Sequence, residues 1–473
     1  MTPSLQTLGD ISPEAFRRHL HQVADWIADY REKIDDRAVS SPITPGEVTN
    51  ALSKGAPEKG ESFDEIWRDF ERIILPGIVH WGHPRFMGYF GSTSTSPGII
   101  AEMLAAALNI NAMTWRTSPA ATELETVVLE WLRQWLELPP EFAGVVYDTA
   151  SIGVMHALAV AREKMGHSIR QRGLTGQKPV PLRIYTSDQT HSSIDKAAIA
   201  LGIGEENVRR VASDANFRLD LAELTKAISE DLAQNFIPMA VVATVGTTST
   251  ASVDPIPQIA QICREHDLWL HIDAAYGGGM ALLPEAGWVR AGWSEADSLV
   301  INPHKMLFVP FDFSVLYVRD ISRLRDVFSL VPEYLRHDAI GADINYMDYG
   351  VPLGRRFRAL KAWMVWRTFG RQGLAAQIRE HLRLAQLFVE WLKADDRFEV
   401  LAPVVMGVVC FAPVNANDET VTCLAQKLNA TGQTYLTQTK LKGRPCLRLG
   451  LGNILTTEAH LLRVWKLIRD SVE

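Results

Sequence analysis

Two short segments hold the most reactive pairing in this 473-residue chain. HIDAAY (271–276) carries Asp273, and NPHK (302–305) carries Lys305; each falls at or just beyond the end of an apolar, strand-like run. A lysine amine condenses with aldehydes. A carboxylate set against a pyridine nitrogen keeps that nitrogen protonated, so the ring accepts electrons. An acid and a lysine delivered to one sheet edge therefore fit an aldehyde-bearing pyridine coenzyme, pyridoxal 5'-phosphate (PLP). Lys305 would be its attachment point and Asp273 its ring partner. Taken singly, the two residues fit a buried ion pair equally well, or a helix-capping aspartate and a surface lysine.

A phosphate group needs donors. Ala150-Ser151 opens an apolar helical pattern (Val154, Leu158, Ala161), where a hydroxyl, backbone N–H groups and the positive helix end converge. Thr248 follows the strand-like run MAVVATVG, and Asn302 and His304 flank Lys305. His191, in SDQTHSS, follows another strand-like run and opens a helix. Its ring can stack on a coenzyme plane or exchange protons near neutral pH. Each of these residues alone also fits a plainer part: an N-cap serine, a strand-ending turn, a packed histidine. His191, His271, His304 and Asp273 are metal-ligand types too, but they show no HxxxH or HExxH spacing, and no metal is expected. No GxGxxG after a strand, Walker motif or GxSxG elbow occurs, which disfavours dinucleotide, P-loop and hydrolase chemistry.

The elements that must hold these residues read as α/β. Apolar runs near 183–188, 239–246, 268–275, 298–302 and 313–318 alternate with helical patterns, as buried, mainly parallel strands do. Ligands of such sheets bind at the C-terminal strand edge. Residues 1–85 read as a helical arm. Phe16, Leu20, Val23, Ile27 and Tyr30 recur at helical spacing, and Ile66, Phe70, Ile73 and Ile74 form a second stripe beyond a Ser/Pro/Gly/Lys-rich connector. So small an arm must bury its stripe on the main body or on another subunit. Residues 86–374 form the large domain, in which Ser118-Pro119 reads as an N-cap and first helical residue. Residues 375–473, a helix followed by FEVLAP, GVVCFAPV and CLRLGL, read as a small α+β domain. A net charge of −7 with no basic block argues against nucleic-acid and membrane-surface partners. Cys263, Cys410, Cys423 and Cys446 form no CxxC pair, and no apolar run reaches membrane-spanning length, so a cytoplasmic enzyme is expected.

Together, HIDAAYGG, NPHK, SDQTHSS, SPAATELE and PLGRRFRALK resemble the group II PLP-dependent decarboxylases, above all the aromatic-L-amino-acid decarboxylase branch, in order and over nearly the whole chain. The resemblance implies PLP fold type I: a large domain with a mainly parallel seven-stranded sheet, the arm and the small domain. It implies a homodimer with active sites at the subunit interface and the arm laid over the partner. The implied reaction turns an aromatic L-amino acid (tyrosine, DOPA, tryptophan or phenylalanine class) into an arylalkylamine and CO2. Lys305 then holds the coenzyme, Asp273 pairs with its ring nitrogen, Ala275 packs against the ring and His191 stacks on it. Ala150, Ser151, Thr248, Asn302 and His304 surround the phosphate. Tyr334, in LVPEYLRHD, matches a loop tyrosine that delivers a proton to the substrate carbon. In similar aldehyde-forming enzymes that tyrosine is phenylalanine, or the histidine is asparagine. Here Tyr334 and His191 favour amine formation, with aldehyde synthase or other PLP chemistry as the alternative. Trp81, Tyr89, Phe90, Met113 and Gly354 match the substrate wall. Against the family pattern, YFP becomes Tyr89-Phe90-Gly91, a wall phenylalanine becomes Met113, GSASEA becomes DTASIG, and NPHKW ends in Met306. Loss of the proline and the phenylalanine is expected to enlarge or reshape the pocket.

Overall fold

The computed structural model describes residues 10–174, 180–330 and 344–472. Two compact units emerge: one joins the chain up to Phe86 with Cys423–Leu436 and the segment from Leu455 onward, and the other joins Met87–Thr422 with Thr437–Ile454. Among the described residues, no helix is long and apolar enough to cross a membrane.

The larger unit is organised by a seven-stranded sheet. Its strands are β1 (Ala143–Tyr147), β2 (Leu182–Ser187), β3 (Val208–Val211), β4 (Ile237–Thr244), β5 (Trp269–Asp273), β6 (Ser298–Ile301) and β7 (Ser314–Val318). Their order is β1-β7-β6-β5-β4-β2-β3. Every pair from β6 to β3 is parallel, whereas β7 runs antiparallel to both β1 and β6. The five apolar runs of the sequence become β2 and β4–β7, and β1 and β3 are added at the two edges. Strands β5, β6 and β7 are buried along their whole length, which is why they carry no polar alternation.

The helix Ala150–Lys164 lies on this sheet through Val154, Ala157, Leu158 and Ala161. A Cβ at Gly153 would stand 3.0 Å from Val300 Cγ2, so the bare backbone brings the helix start close to β6. In the helix Pro119–Trp135, Ser118 occupies the N-cap position as expected, but its hydroxyl donates to the Thr114 carbonyl (2.9 Å) and caps nothing. The helix Ala359–Lys393 is broken at Gly370, where φ is +61°. It leads into a second, antiparallel sheet of β8 (Phe398–Val400), β9 (Val408–Pro413), β10 (Thr437–Leu441) and β11 (Arg444–Gly450), ordered β10-β11-β9-β8.

In the smaller unit the helix Pro13–Glu32 starts at Ser12, whose hydroxyl accepts the Ala15 N–H. Trp26 packs edge-on against Trp67 and Phe70, and Tyr30 hydrogen-bonds His80 (2.8 Å). Phe16 and Leu20, on the same helix, stay exposed.

Candidate active site

Asp273 is the last residue of β5 and is nearly inaccessible; its Oδ1 accepts the Ala275 N–H at 3.0 Å. That bond folds the chain back after the strand and buries Ala275 beside it. Lys305 follows β6, with its N–H bonded to the Asn302 carbonyl (2.9 Å) and its Nζ 4.8 Å from the centre of the Phe90 ring. Lost hydration in this cleft pulls the lysine pKa down to about 8; the Asp273 charge opposes the shift and the Arg448 charge adds to it.

Phe90 is the hub of the cleft. It stacks on Tyr276 with ring centres 3.8 Å apart, and the Arg448 guanidinium lies 4.5 Å from its centre. Arg448, on β11, donates through Nε to the Ser249 carbonyl (3.1 Å) and through Nη1 to the Tyr89 carbonyl. Its Nη2 is buried with no hydrogen-bond partner among the described residues. Arg448 and Tyr276 were not picked out from the sequence. Tyr276 lies inside the HIDAAY motif and was the available signal; an arginine within CLRLGL reads as the wet face of a strand.

His191 precedes the helix Ser193–Ala200, and its Nδ1 accepts the Ser193 N–H (3.1 Å), which leaves the ring proton on Nε2. Its pKa is lowered by partial loss of hydration; Asp273 counters this and Lys305 reinforces it. His304 Nδ1 accepts the Phe313 N–H (3.1 Å), and burial followed by the Lys305 charge pulls its pKa to about 3, so the ring is neutral. The Asn302 side chain is buried, and its Oδ1 finds no partner among the described residues. Ala150 and Ser151, half-buried, form the first turn of their helix, and Thr248 is exposed in the turn after β4.

These groups fit PLP. A crowded lysine with a depressed pKa would meet the aldehyde, and a sequestered carboxylate at the strand end would meet the ring nitrogen. The orphaned Asn302 amide, whose two ends can exchange roles, adds to the donors a phosphate needs. Among the described residues, no three His, Cys, Asp or Glu side chains gather in a metal-binding group.

The wall residues are distributed. Tyr89 adjoins Phe90 and is exposed. Met113 is half-buried; its carbonyl accepts the Met347 N–H (3.1 Å), and the Asn111 amide reaches its sulfur. Gly354 is exposed, and the next residue, Arg355, holds the Ala112 carbonyl (3.2 Å) and the Glu125 carboxylate (2.6 Å), which ties Gly354 to the Met113 segment. Trp81 belongs to the smaller unit, where it packs on Phe86. Tyr334 lies outside the described residues. The room expected from the missing proline is not there: a Cβ on Gly91 would stand 3.0 Å from the Gly452 backbone, which fills that space.

Residues 45–414 match the pyridoxal-dependent decarboxylase conserved domain. The chain is 39% identical over 479 residues to tryptophan decarboxylase 2 of Oryza sativa subsp. japonica, covering 98% of this chain and 95% of that one. It is 38% identical over 481 residues to phenylacetaldehyde synthase of Arabidopsis thaliana, covering 98% and 97%. The crystal structure of Oryza sativa TDC with PLP and tryptamine superposes with a TM-score of 0.93 at 33% identity, over 98% of this chain and 99% of that chain. The mostly parallel seven-stranded sheet is thus that of PLP fold type I, and the chain belongs to the group II pyridoxal-dependent decarboxylase family.

Proposed function

We propose that this protein removes the α-carboxylate of an aromatic L-amino acid, releasing CO2 and an arylalkylamine. The observation that carries the reading is the Lys305 amine, its pKa lowered to about 8, set among Asp273, Phe90 and Arg448. When bound, PLP supplies an aldehyde to link the amine and a ring that accepts electrons as the carboxylate departs. Lys305 provides the attaching amine. Asp273, held by the Ala275 N–H, presents its carboxyl group to the ring nitrogen. His191 covers the ring face, while Ala150, Ser151, Thr248, Asn302 and His304 hold the phosphate. The Nη2 of Arg448, without a hydrogen-bond partner among the described residues, receives the substrate carboxylate, and Phe90, Tyr89, Met113 and Gly354 receive its aromatic ring. Tyr334 returns a proton to the substrate carbon.

The likeness to phenylacetaldehyde synthase supports a second reading, decarboxylation with oxidative loss of the amine to give an aldehyde. Incubating the holoenzyme with tyrosine, DOPA, tryptophan and phenylalanine, and measuring CO2, amine, aldehyde and hydrogen peroxide, separates the two. Amine equal to CO2 is expected; aldehyde and peroxide equal to CO2 would select the second reading, and no CO2 from any of them would remove both.

A homodimer is supported by apolar stripes left uncovered: Ile100, Leu104 and Leu108 on the helix Ser96–Leu108, and Phe16 and Leu20 on the arm. Four free thiols, with no disulfide among them, support a cytoplasmic location.

A further inference from the structure

Asp254 is a carboxyl group, 2% exposed, that none of the roles above uses. Its Oδ2 accepts the Thr244 N–H at 2.7 Å, and its Oδ1 accepts the Leu219 N–H, also at 2.7 Å. Its own N–H donates to the Thr244 carbonyl at 3.0 Å. Thr244 ends β4 and is the Cα partner of Asp273 on β5; the following N–H, of Val245, donates to the Asp273 carbonyl at 2.8 Å. On its other flank the Thr244 hydroxyl meets that of Thr190 (3.2 Å). Thr190 is joined in turn to Thr186 (2.6 Å) and stands immediately before His191. The strand end that Asp254 clips thus lies between the two residues that meet the coenzyme ring.

We propose that Asp254 is a positioning residue for the decarboxylation: its carboxylate clips the end of β4, aligning Asp273 and His191, and proton uptake releases the clip. The inference rests on the coenzyme roles given above to Asp273 and His191. A carboxylate only accepts hydrogen bonds, so it satisfies both N–H groups at once. Its protonated form turns one oxygen into a donor facing a donor, and one buried N–H loses its acceptor. Burial raises the Asp254 pKa to about 6 despite the two N–H bonds. Asp214 pushes it further up and Arg218 opposes; these two pair with each other at 2.7 Å in the turn that leads to Leu219. Asp273 stands opposite Thr244 on β5, and Thr190, the neighbour of His191, touches it from the loop after β2.

The test compares wild-type holoenzyme with Asp254→Asn, a neutral isostere, across the pH range around 6. Wild-type kcat should fall on the acid side with a midpoint near 6 while KM moves less. The variant should sit roughly tenfold below the wild-type plateau, show no limb near 6, and give altered circular dichroism of the bound coenzyme. A variant that keeps both the wild-type kcat and the acid limb overturns the proposal. If the variant does not fold, infrared spectra of wild-type protein labelled with 13C-aspartate decide: a buried carboxyl band must titrate near pH 6, and its absence overturns the proposal. A protein that binds PLP but decarboxylates no aromatic amino acid defeats the functional reading alone; the coenzyme dichroism across the same pH range then judges Asp254.

Discussion

Lys305 enters its cleft with an amine held at a pKa of about 8, so roughly one molecule in ten carries a neutral, nucleophilic lysine at pH 7. An ordinary lysine would offer fewer than about one in a thousand. Recombination of coenzyme-free protein with PLP, followed by visible absorbance, should therefore quicken as pH rises through 8 and level off above it; a rate still climbing near pH 10 would mean an unshifted amine. Arg448 makes a separate prediction. A charge-assisted hydrogen bond to a carboxylate contributes about 1.5–3 kcal/mol, so Arg448→Gln should lower kcat/KM by about tenfold to a hundredfold. Inhibition by the amine product, which lacks a carboxylate, should change by no more than about twofold; an equal loss for both would point to general damage. Asp273, Lys305 and His191 were legible in the sequence because each stands in a short motif where a strand ends. Arg448 was not, because nothing local shows that a strand arginine lies over Phe90, far away along the chain.

At the scale of elements, burial and a mainly parallel sheet were legible, and the reversed direction of one strand was not. Strand β7 is as apolar as its parallel neighbours because it lies inside the sheet, between β1 and β6, yet it runs the other way. Strands β3 (VRRV) and β10 (TQTKL) escaped notice because edge strands keep a polar side and lack the continuous apolar run. The helix Ser96–Leu108 shows how closely such elements are fitted. A Cβ on Gly98 would fall 2.4 Å from the ring of Pro310, in the segment that follows Lys305. Gly98→Ala should therefore destabilise the protein by about 1–3 kcal/mol in denaturant titration, because a proline ring cannot swing aside. It should also weaken coenzyme retention on dialysis. Wild-type stability in the variant would show that helix and loop part freely.

For the whole molecule, the uncovered stripes carry the prediction. Ile100, Leu104 and Leu108 line one side of their helix, and each is about half exposed, at 51%, 47% and 57%. Light scattering should find a dimer, and Leu104→Arg should shift it to monomer at micromolar concentration and cut activity at least about tenfold, since a charge at the centre of an interface loses its hydration. An active monomer would show that one chain completes the site.

The antiparallel setting of β7 has one more consequence. Because β6 and β7 lie side by side, Ile301 opposite Val315, the segment bearing Lys305 begins and ends at the same place on the sheet. In the proposed reaction the Lys305 amine would let go of its coenzyme and find it again in every cycle. Stapled to the sheet at both feet, the segment would keep the amine close, so that the resting enzyme would be restored by a short local swing rather than by a search.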